Sequence, residues 1–307
     1  MYNKTMKKIS VLLVLALFSG CLLQLPCEAG FFANQKAKLE QKKVYKSTYN
    51  DIENVIKTQM VFANKHDLEN FISLYSKDFV NSDGFNFEVY KKMVKETWQT
   101  YPDIYYESEI KNIEFSDNYA TVFVKETAIA TPVEQIEDFK TVGELYSISK
   151  CVYHLEKHGA KWLINSEKII EETSTLKYGK ARLIDIELNA PKQIGSGKYY
   201  TSTLKMDLPE DTYAVASISK EKIIYPQNKA EDAFRNMNND NILERVFLSN
   251  NENVNEYTIA SIALSQVENI SNDQVQLSLS GLAFIMTRVN VVPENKFIKE
   301  ENDGKGK

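Results

Sequence analysis

Residues 64–75 read Asn64-Lys65-His66-Asp67-Leu68-Glu69-Asn70-Phe71-Ile72-Ser73-Leu74-Tyr75, and this stretch decides the fold of the first half of the chain. Asp67 is a good N-cap for a short helix, because its side chain can accept a hydrogen bond from a first-turn N–H. Asn70 stands where a capping box prefers glutamate or glutamine. Apolar side chains follow at helical spacing: Leu68, Phe71, Ile72, Leu74 and Tyr75. The stretch therefore predicts a corner at which one helix ends and a second, short helix begins.

Helical periodicity flanks this corner on both sides. Before it, apolar residues recur every three or four positions from about Tyr49 to Ala63, as in an amphipathic helix. After a turn-like run at 81–84, a third helix is predicted over 87–101, and Pro102 ends it. Three helices are therefore expected before the strands begin.

The pattern then changes to the two-residue alternation that is typical of β-strands. Residues 104–115 and 119–130 flank one turn, and residues 145–157 and 160–171 flank another. Each pair predicts a β-hairpin. Helices followed by long hairpins indicate the α+β class.

The second hairpin contains the run His158-Gly159-Ala160-Lys161-Trp162-Leu163-Ile164. Together with the corner at 64–75, this run resembles two packing motifs of the nuclear-transport-factor-2-like superfamily, also called SnoaL-like. The resemblance covers residues 50–175 and implies a cone-shaped fold, in which three helices cap a curved antiparallel sheet around a cavity. The superfamily contains isomerases, dehydratases, cyclases and non-catalytic modules, so the resemblance implies no single activity.

The resemblance places functional side chains on inward-facing strand positions. Glu126 follows Val122 and Val124 on one strand face, although a rim position in contact with water is the alternative for a carboxylate. The candidates for lining a cavity are Tyr106, Glu126, Tyr146, Tyr153 and His154.

An enzymatic role would use Glu126 and His154 as an acid–base pair, with a tyrosine as electrophile. The other catalytic arrays of the superfamily are incomplete. An Asp–Arg–Asp array cannot form because no arginine precedes Arg182, and the chain has three histidines in all. We therefore assign no catalytic residue, and the sequence favours a non-catalytic role without excluding an enzyme.

The second half is predicted to be all-β, because alternating segments end at prolines throughout residues 180–295. We expect a separate antiparallel domain, either an immunoglobulin-like sandwich or an irregular β-domain packed on the cone. Residues 296–307 are expected to form a disordered tail.

The first 29 residues have the features of a secretory signal, with a basic stub followed by about ten apolar residues. Cleavage is expected after Ala29, before Gly30; lipidation of Cys21 is the alternative. Residues 30–49 form a charged helix or linker. The chain is thus predicted to be periplasmic or extracellular, or else a membrane-anchored lipoprotein tethered through Cys21.

Composition excludes some functions. The formal charge is −5, and loss of residues 1–29 would make it −7, because three lysines and one glutamate are removed. An acidic surface repels phosphate backbones, so nucleic acid is not an expected partner. No motif predicts a metal or a cofactor, and Cys151 is expected to be a small buried strand residue.

Three functional hypotheses follow. The first is a non-catalytic module that binds a small apolar ligand or another envelope protein. The second is an enzyme of the isomerase, dehydratase or cyclase kind. The third is a structural module that forms a homodimer through its sheet.

Overall fold

The computed structural model describes residues 28–136, 139–237, 240–271 and 274–293. The chain divides into two compact units, residues 1–51 and residues 52–307. The described residues of the first unit are helical. Most of the predicted signal, including Cys21, and the predicted tail lie outside the described residues. Among the described residues, no helix combines the length and the apolar character that crossing a membrane requires.

The described helices are α1 (Glu28–Asn64), α2 (Leu68–Ile72), α3 (Phe87–Thr100) and a 3-10 helix (Lys180–Leu183). The Asp67 side chain accepts a hydrogen bond from the N–H of Asn70 at 3.2 Å, so Asp67 is the N-cap of α2 as predicted. Residues 30–49, expected to be a charged helix or a linker, are helical and continue into the helix predicted from about Tyr49, and the 3-10 helix was not expected. The predicted count of three helices is therefore not matched within the described residues.

Strands make up most of the structure. Their bounds are β1 (Tyr75–Asn81), β2 (Tyr105–Ser116), β3 (Tyr119–Ala130), β4 (Val133–Ile136), β5 (Phe139–His158), β6 (Lys161–Gly179), β7 (Ile186–Asn189), β8 (Gln193–Gly195), β9 (Tyr199–Met206), β10 (Thr212–Lys222), β11 (Arg235–Asn236), β12 (Ile242–Leu248), β13 (Glu256–Ser271) and β14 (Gln274–Val292). Both predicted hairpins, β2–β3 and β5–β6, are present and antiparallel.

One large sheet runs through both halves of the sequence, in the order β11-β10-β13-β14-β6-β5-β3-β2. Strand β6 joins the halves. One edge of β6 pairs with β5, while the other edge pairs with the short β1 near Ile164 and with β14 over residues 173–179. The expected separate all-β domain is therefore not confirmed. Because β1 is too short to cover the second edge of β6, that edge is completed by a strand from the C-terminal half.

A smaller sheet, in the order β12-β9-β7, packs on the C-terminal part of the large one. Its side chains Leu204 and Met206 share a core with Ile218, Ile262 and Ile285 of the large sheet. This half thus buries apolar surface between two sheets, as a sandwich does, but one of those sheets belongs equally to the first half.

Candidate functional site

A cleft of about 410 Å³ lies between α3 and one face of the large sheet, here called the inner face. Thr97 of α3 and Tyr101 just after α3 form one wall. The lining is mostly apolar, with a few hydroxyl groups. Both halves of the chain contribute to the sheet wall, through Tyr106, Ala128, Ser147, Ser174, Ile259 and Met286.

Glu126 lies on the same strand face as Ala128, two residues along β3. Two strand residues span about 7 Å, so the carboxylate stands next to the cleft. The hydroxyl of Tyr153 donates a hydrogen bond to Oε1 of Glu126 at 2.8 Å. Burial raises the pKa of Glu126 to about 7, although this hydrogen bond acts to lower it. Glu126 can therefore gain or lose a proton near neutral pH.

A second carboxylate lies on the other side of Tyr153. Glu167 of β6 is directly opposite Tyr153 of β5 and is 6% exposed. Burial, followed by repulsion from Glu126, raises the pKa of Glu167 to about 8, while hydrogen bonding from Tyr153 lowers it. Two buried carboxyl groups thus compete for one hydroxyl, and at least one of them is expected to be protonated at neutral pH.

The helix side of this cluster carries an unsatisfied polar atom. Gln59 of α1 is 1% exposed, and its Nε2 donates to the Tyr75 hydroxyl at 2.6 Å. The Tyr75 and Tyr90 hydroxyls lie 3.2 Å apart. Gln59 Oε1 has no hydrogen-bond partner in the described part of the chain. A buried acceptor without a partner lowers the stability of the folded state. Native proteins contain few such atoms, so each of them calls for an explanation, such as a functional role.

The raised pKa of Glu167 makes stability depend on pH. The Glu167 carboxyl holds its proton more tightly in the folded state than in the unfolded chain. The stability that this proton contributes is therefore complete below pH 4.5 and is lost as pH rises to about 8. We expect the free energy of unfolding of wild type to fall in this window relative to that of Glu167→Gln, by up to about 1 kcal/mol per pH unit, because glutamine stays neutral. Urea unfolding at pH 5, 6.5 and 8 measures this difference. The exposed Glu114→Gln is the control, and parallel curves for wild type and Glu167→Gln would contradict the expectation.

The structure separates the five sequence candidates. Tyr106 lines the cleft and accepts a hydrogen bond from Trp98 Nε1 at 3.2 Å, and Glu126 and Tyr153 contact each other beside it. Tyr146 and His154 are exposed on the opposite, outer face of the sheet.

The predicted acid–base pair of Glu126 and His154 is therefore wrong. His154 follows Tyr153 by one residue in β5, so its side chain points to the other face, where its Nδ1 lies 3.2 Å from the Thr121 hydroxyl. Tyr146 is excluded from the cavity as well. It lies opposite Ile129 of β3, and both side chains are exposed on the outer face.

Sequence reasoning missed Glu167 and Gln59. The pairing of β5 with β6 shifts register twice, and the residues left without a partner in β5 are Ile170 and Asn165, both in β6. Because a bulge resets which residues face the same side, simple alternation could not assign Glu167 to the inner face. Cys151 is buried as expected, and burial raises the pKa of its thiol. No group of His, Cys, Asp or Glu among the described residues could hold a metal ion.

No protein-family profile matches the chain, and no curated protein matches it. Among solved structures, a provisionally assigned scytalone dehydratase from Novosphingobium aromaticivorans is 16% identical; the match covers 42% of this chain and 86% of that one, with a TM-score of 0.36. A conserved protein from Planctomyces limnophilus is 16% identical over 40% of this chain and 94% of that one, with a TM-score of 0.34. A type 2 hexachlorocyclohexane dehydrochlorinase (LinA) is 10% identical over 41% and 85%, with a TM-score of 0.34.

These similarities concern about two-fifths of the chain, and their TM-scores all lie below 0.5. They therefore carry no argument about superfamily or activity, and the resemblance to the nuclear-transport-factor-2-like superfamily stays a prediction from the sequence motifs.

Proposed function

We propose that this chain binds a small, largely apolar molecule in the cleft between α3 and the inner face of the sheet. The observation that carries the proposal is the cleft itself. Its volume of about 410 Å³ is within the range of small-molecule sites, and its lining is mostly apolar.

Hydroxyl groups along the cleft would orient the ligand. The Tyr106 hydroxyl accepts from Trp98, which leaves its own hydrogen for a ligand oxygen. Ser147 and Ser174 hydrogen-bond to each other at 2.7 Å, which leaves one of their two hydroxyl hydrogens free to donate. The ligand class that fits is an apolar ring system with a few hydroxyl, carbonyl or amine groups.

Filling the cleft tests this proposal. Ala128→Phe places a ring in the cleft, whereas Ile129→Phe places the same ring on the exposed outer face, one residue away. With 4-hydroxybiphenyl as probe, we expect Ala128→Phe to weaken binding at least about tenfold, because a ring's worth of apolar contact is lost. Ile129→Phe should bind like wild type. Equal affinity in both variants, measured by ligand-observed NMR titration, would refute the site.

Proton transfer on the bound molecule is the second candidate function. It is favoured by the position of Glu126 next to the cleft and by its pKa of about 7, which suits a general base at neutral pH. Glu126 would take a proton from the ligand, and the Tyr106 hydroxyl would stabilise the oxygen on which negative charge develops.

Export, the Cys21 tether and homodimerisation stay predictions. The outer face of the sheet carries the exposed row Tyr105, Ile129 and Tyr146, which is the surface that a sheet-to-sheet dimer would cover. Light scattering tests the dimer, and mass spectrometry of the mature N-terminus distinguishes Cys21 from Gly30.

A further inference from the structure

The strand pairing places a row of polar side chains along one side of the cleft. Ala128, Ser147, Ser174, Met286 and Ile259 line the cleft and follow one another across β3, β5, β6, β14 and β13. Two residues along each of these strands, on the same inner face, the row continues with polar groups. Its members are Glu126, Ser149, Glu172, Arg288 and Tyr257.

The row contains a second carboxyl–tyrosine pair, which resembles Glu126–Tyr153 in its chemistry. The hydroxyl of Tyr257 donates a hydrogen bond to Oε2 of Glu172 at 2.8 Å. Both side chains are half-buried. Burial raises the pKa of Glu172, against the hydrogen bond from Tyr257. Glu172 belongs to the cone part of the sequence, whereas Tyr257 comes from the C-terminal strand β13.

Arg288 lies between the two members of this pair, yet its charge is already matched elsewhere. Its guanidinium makes two hydrogen bonds to Asp83, at 3.0 and 2.5 Å, and a third to Asn290 at 2.9 Å. Within the described ranges, Tyr257 is the side chain that donates to the carboxyl group of Glu172, and no protein donor reaches its Oε1; the Thr287 hydroxyl donates to the backbone carbonyl of Glu172. That oxygen is an acceptor available to a ligand.

We propose that Glu172 and Tyr257 form a second hydrogen-bonding centre of the cleft, which binds a hydroxyl or amine group of the ligand. The proposal rests on the ligand-binding function above. Glu126 and Glu172 are separated across the sheet by β5, so their Cα atoms lie about 10 Å apart. The ligand class is therefore an elongated, two-ring apolar molecule with a hydrogen-bonding group at each end. The C-terminal strands determine what the cleft selects.

Three matched probes test this: biphenyl, 4-hydroxybiphenyl and 4,4′-dihydroxybiphenyl. We expect the second hydroxyl to improve the affinity of wild type about tenfold over 4-hydroxybiphenyl, the usual effect of a hydrogen bond to a charged group. The double variant Glu172→Met/Tyr257→Phe removes both polar groups together and leaves neither unpaired, so it should fold and lose this gain. Glu172→Gln keeps an acceptor for Tyr257 and is expected to reduce the gain to about threefold or less.

Tyr200→Phe is the matched control. It removes a tyrosine hydroxyl that is 3.3 Å from another buried carboxylate, Glu256, outside the cleft. This variant should keep the tenfold gain. If wild type binds the mono- and dihydroxy probes equally, or if the double variant keeps the gain while 4-hydroxybiphenyl still binds, the second centre is refuted and the cleft is retained. If none of the three probes binds saturably, both the cleft function and the second centre are overturned.

Discussion

Replacing Arg288 with methionine is expected to lower the free energy of unfolding by about 3–5 kcal/mol. The side chains of Arg288 and Asp83 are 0% and 3% exposed, and their hydrogen bonds are bidentate. Without the guanidinium, the Asp83 carboxylate would remain buried and uncompensated, and among the described residues the Asn255 amide, at 2.7 Å, would be its remaining side-chain donor. The loss is large because a buried charge without its partner costs far more than the pair contributes.

The effect should appear in the whole of the large sheet. Asp83 follows β1 in the first half, and Arg288 lies in β14, 205 residues later in the sequence. Both tryptophans of the chain, Trp98 and Trp162, belong to the first half, so tryptophan fluorescence reports on that half, whereas far-UV circular dichroism reports on all strands. Because one sheet joins the halves, we expect the two signals to shift together in urea.

Two further variants control this experiment. Lys222→Met removes one partner of an ion pair whose side chains are 39% and 65% exposed, so it should cost at most about 1 kcal/mol. The double variant Asp83→Leu/Arg288→Met removes both buried charges and should recover most of the lost stability. A loss below about 1 kcal/mol in Arg288→Met, or a shift of the circular dichroism signal alone, would show that the pair does not join the halves.

The elements that the sequence predicted depend on local chemistry. The cap at Asp67 uses an acceptor and a donor three residues apart, and each predicted hairpin turns within a few residues. Such features are specified by neighbouring residues and need no knowledge of the rest of the chain. The inner-face position of Val122 and Val124, both buried, follows from alternation in the same way.

The union of the two halves could not be predicted from sequence. It depends on which strand completes the second edge of β6, and that choice is made between segments more than a hundred residues apart. Any strand with suitable length and apolar alternation would satisfy the local pattern. The Asp83–Arg288 ion pair could not be predicted from the sequence either, because neither residue has a distinctive neighbour.

The candidate site was predictable to the extent that alternation held. Alternation correctly placed Glu126 on the inner face. It also excludes His154 from that face, since the consecutive strand residues Tyr153 and His154 cannot point to the same side. Glu172 and Tyr257 are different: each is ordinary in its own strand, and only the pairing of β6, β14 and β13 brings them together.

If the second candidate function is right, Glu126→Gln is expected to slow proton transfer by about 10²–10⁴-fold, the usual contribution of a positioned general base. The probe is 2-tetralone, an apolar two-ring ketone whose α-protons exchange with D₂O, and NMR measures the exchange rate. Ionised Glu126 would remove the α-proton, the Tyr106 hydroxyl would donate a hydrogen bond to the carbonyl oxygen, and the resulting enolate would take up deuterium. Since the pKa of Glu126 is about 7, the catalysed rate should rise with pH and level off above that value.

The matched control is Glu107→Gln, which removes an exposed carboxylate from the outer face of neighbouring β2 and should leave the rate unchanged. An exchange rate in Glu126→Gln equal to that of wild type would remove Glu126 as the base. A wild-type rate no faster than that of the same buffer would reject proton transfer on this ketone and leave ligand binding as the function of the cleft. The experiment therefore separates the two candidate functions, because Gln in place of Glu keeps the shape of the cleft and removes only its titratable group.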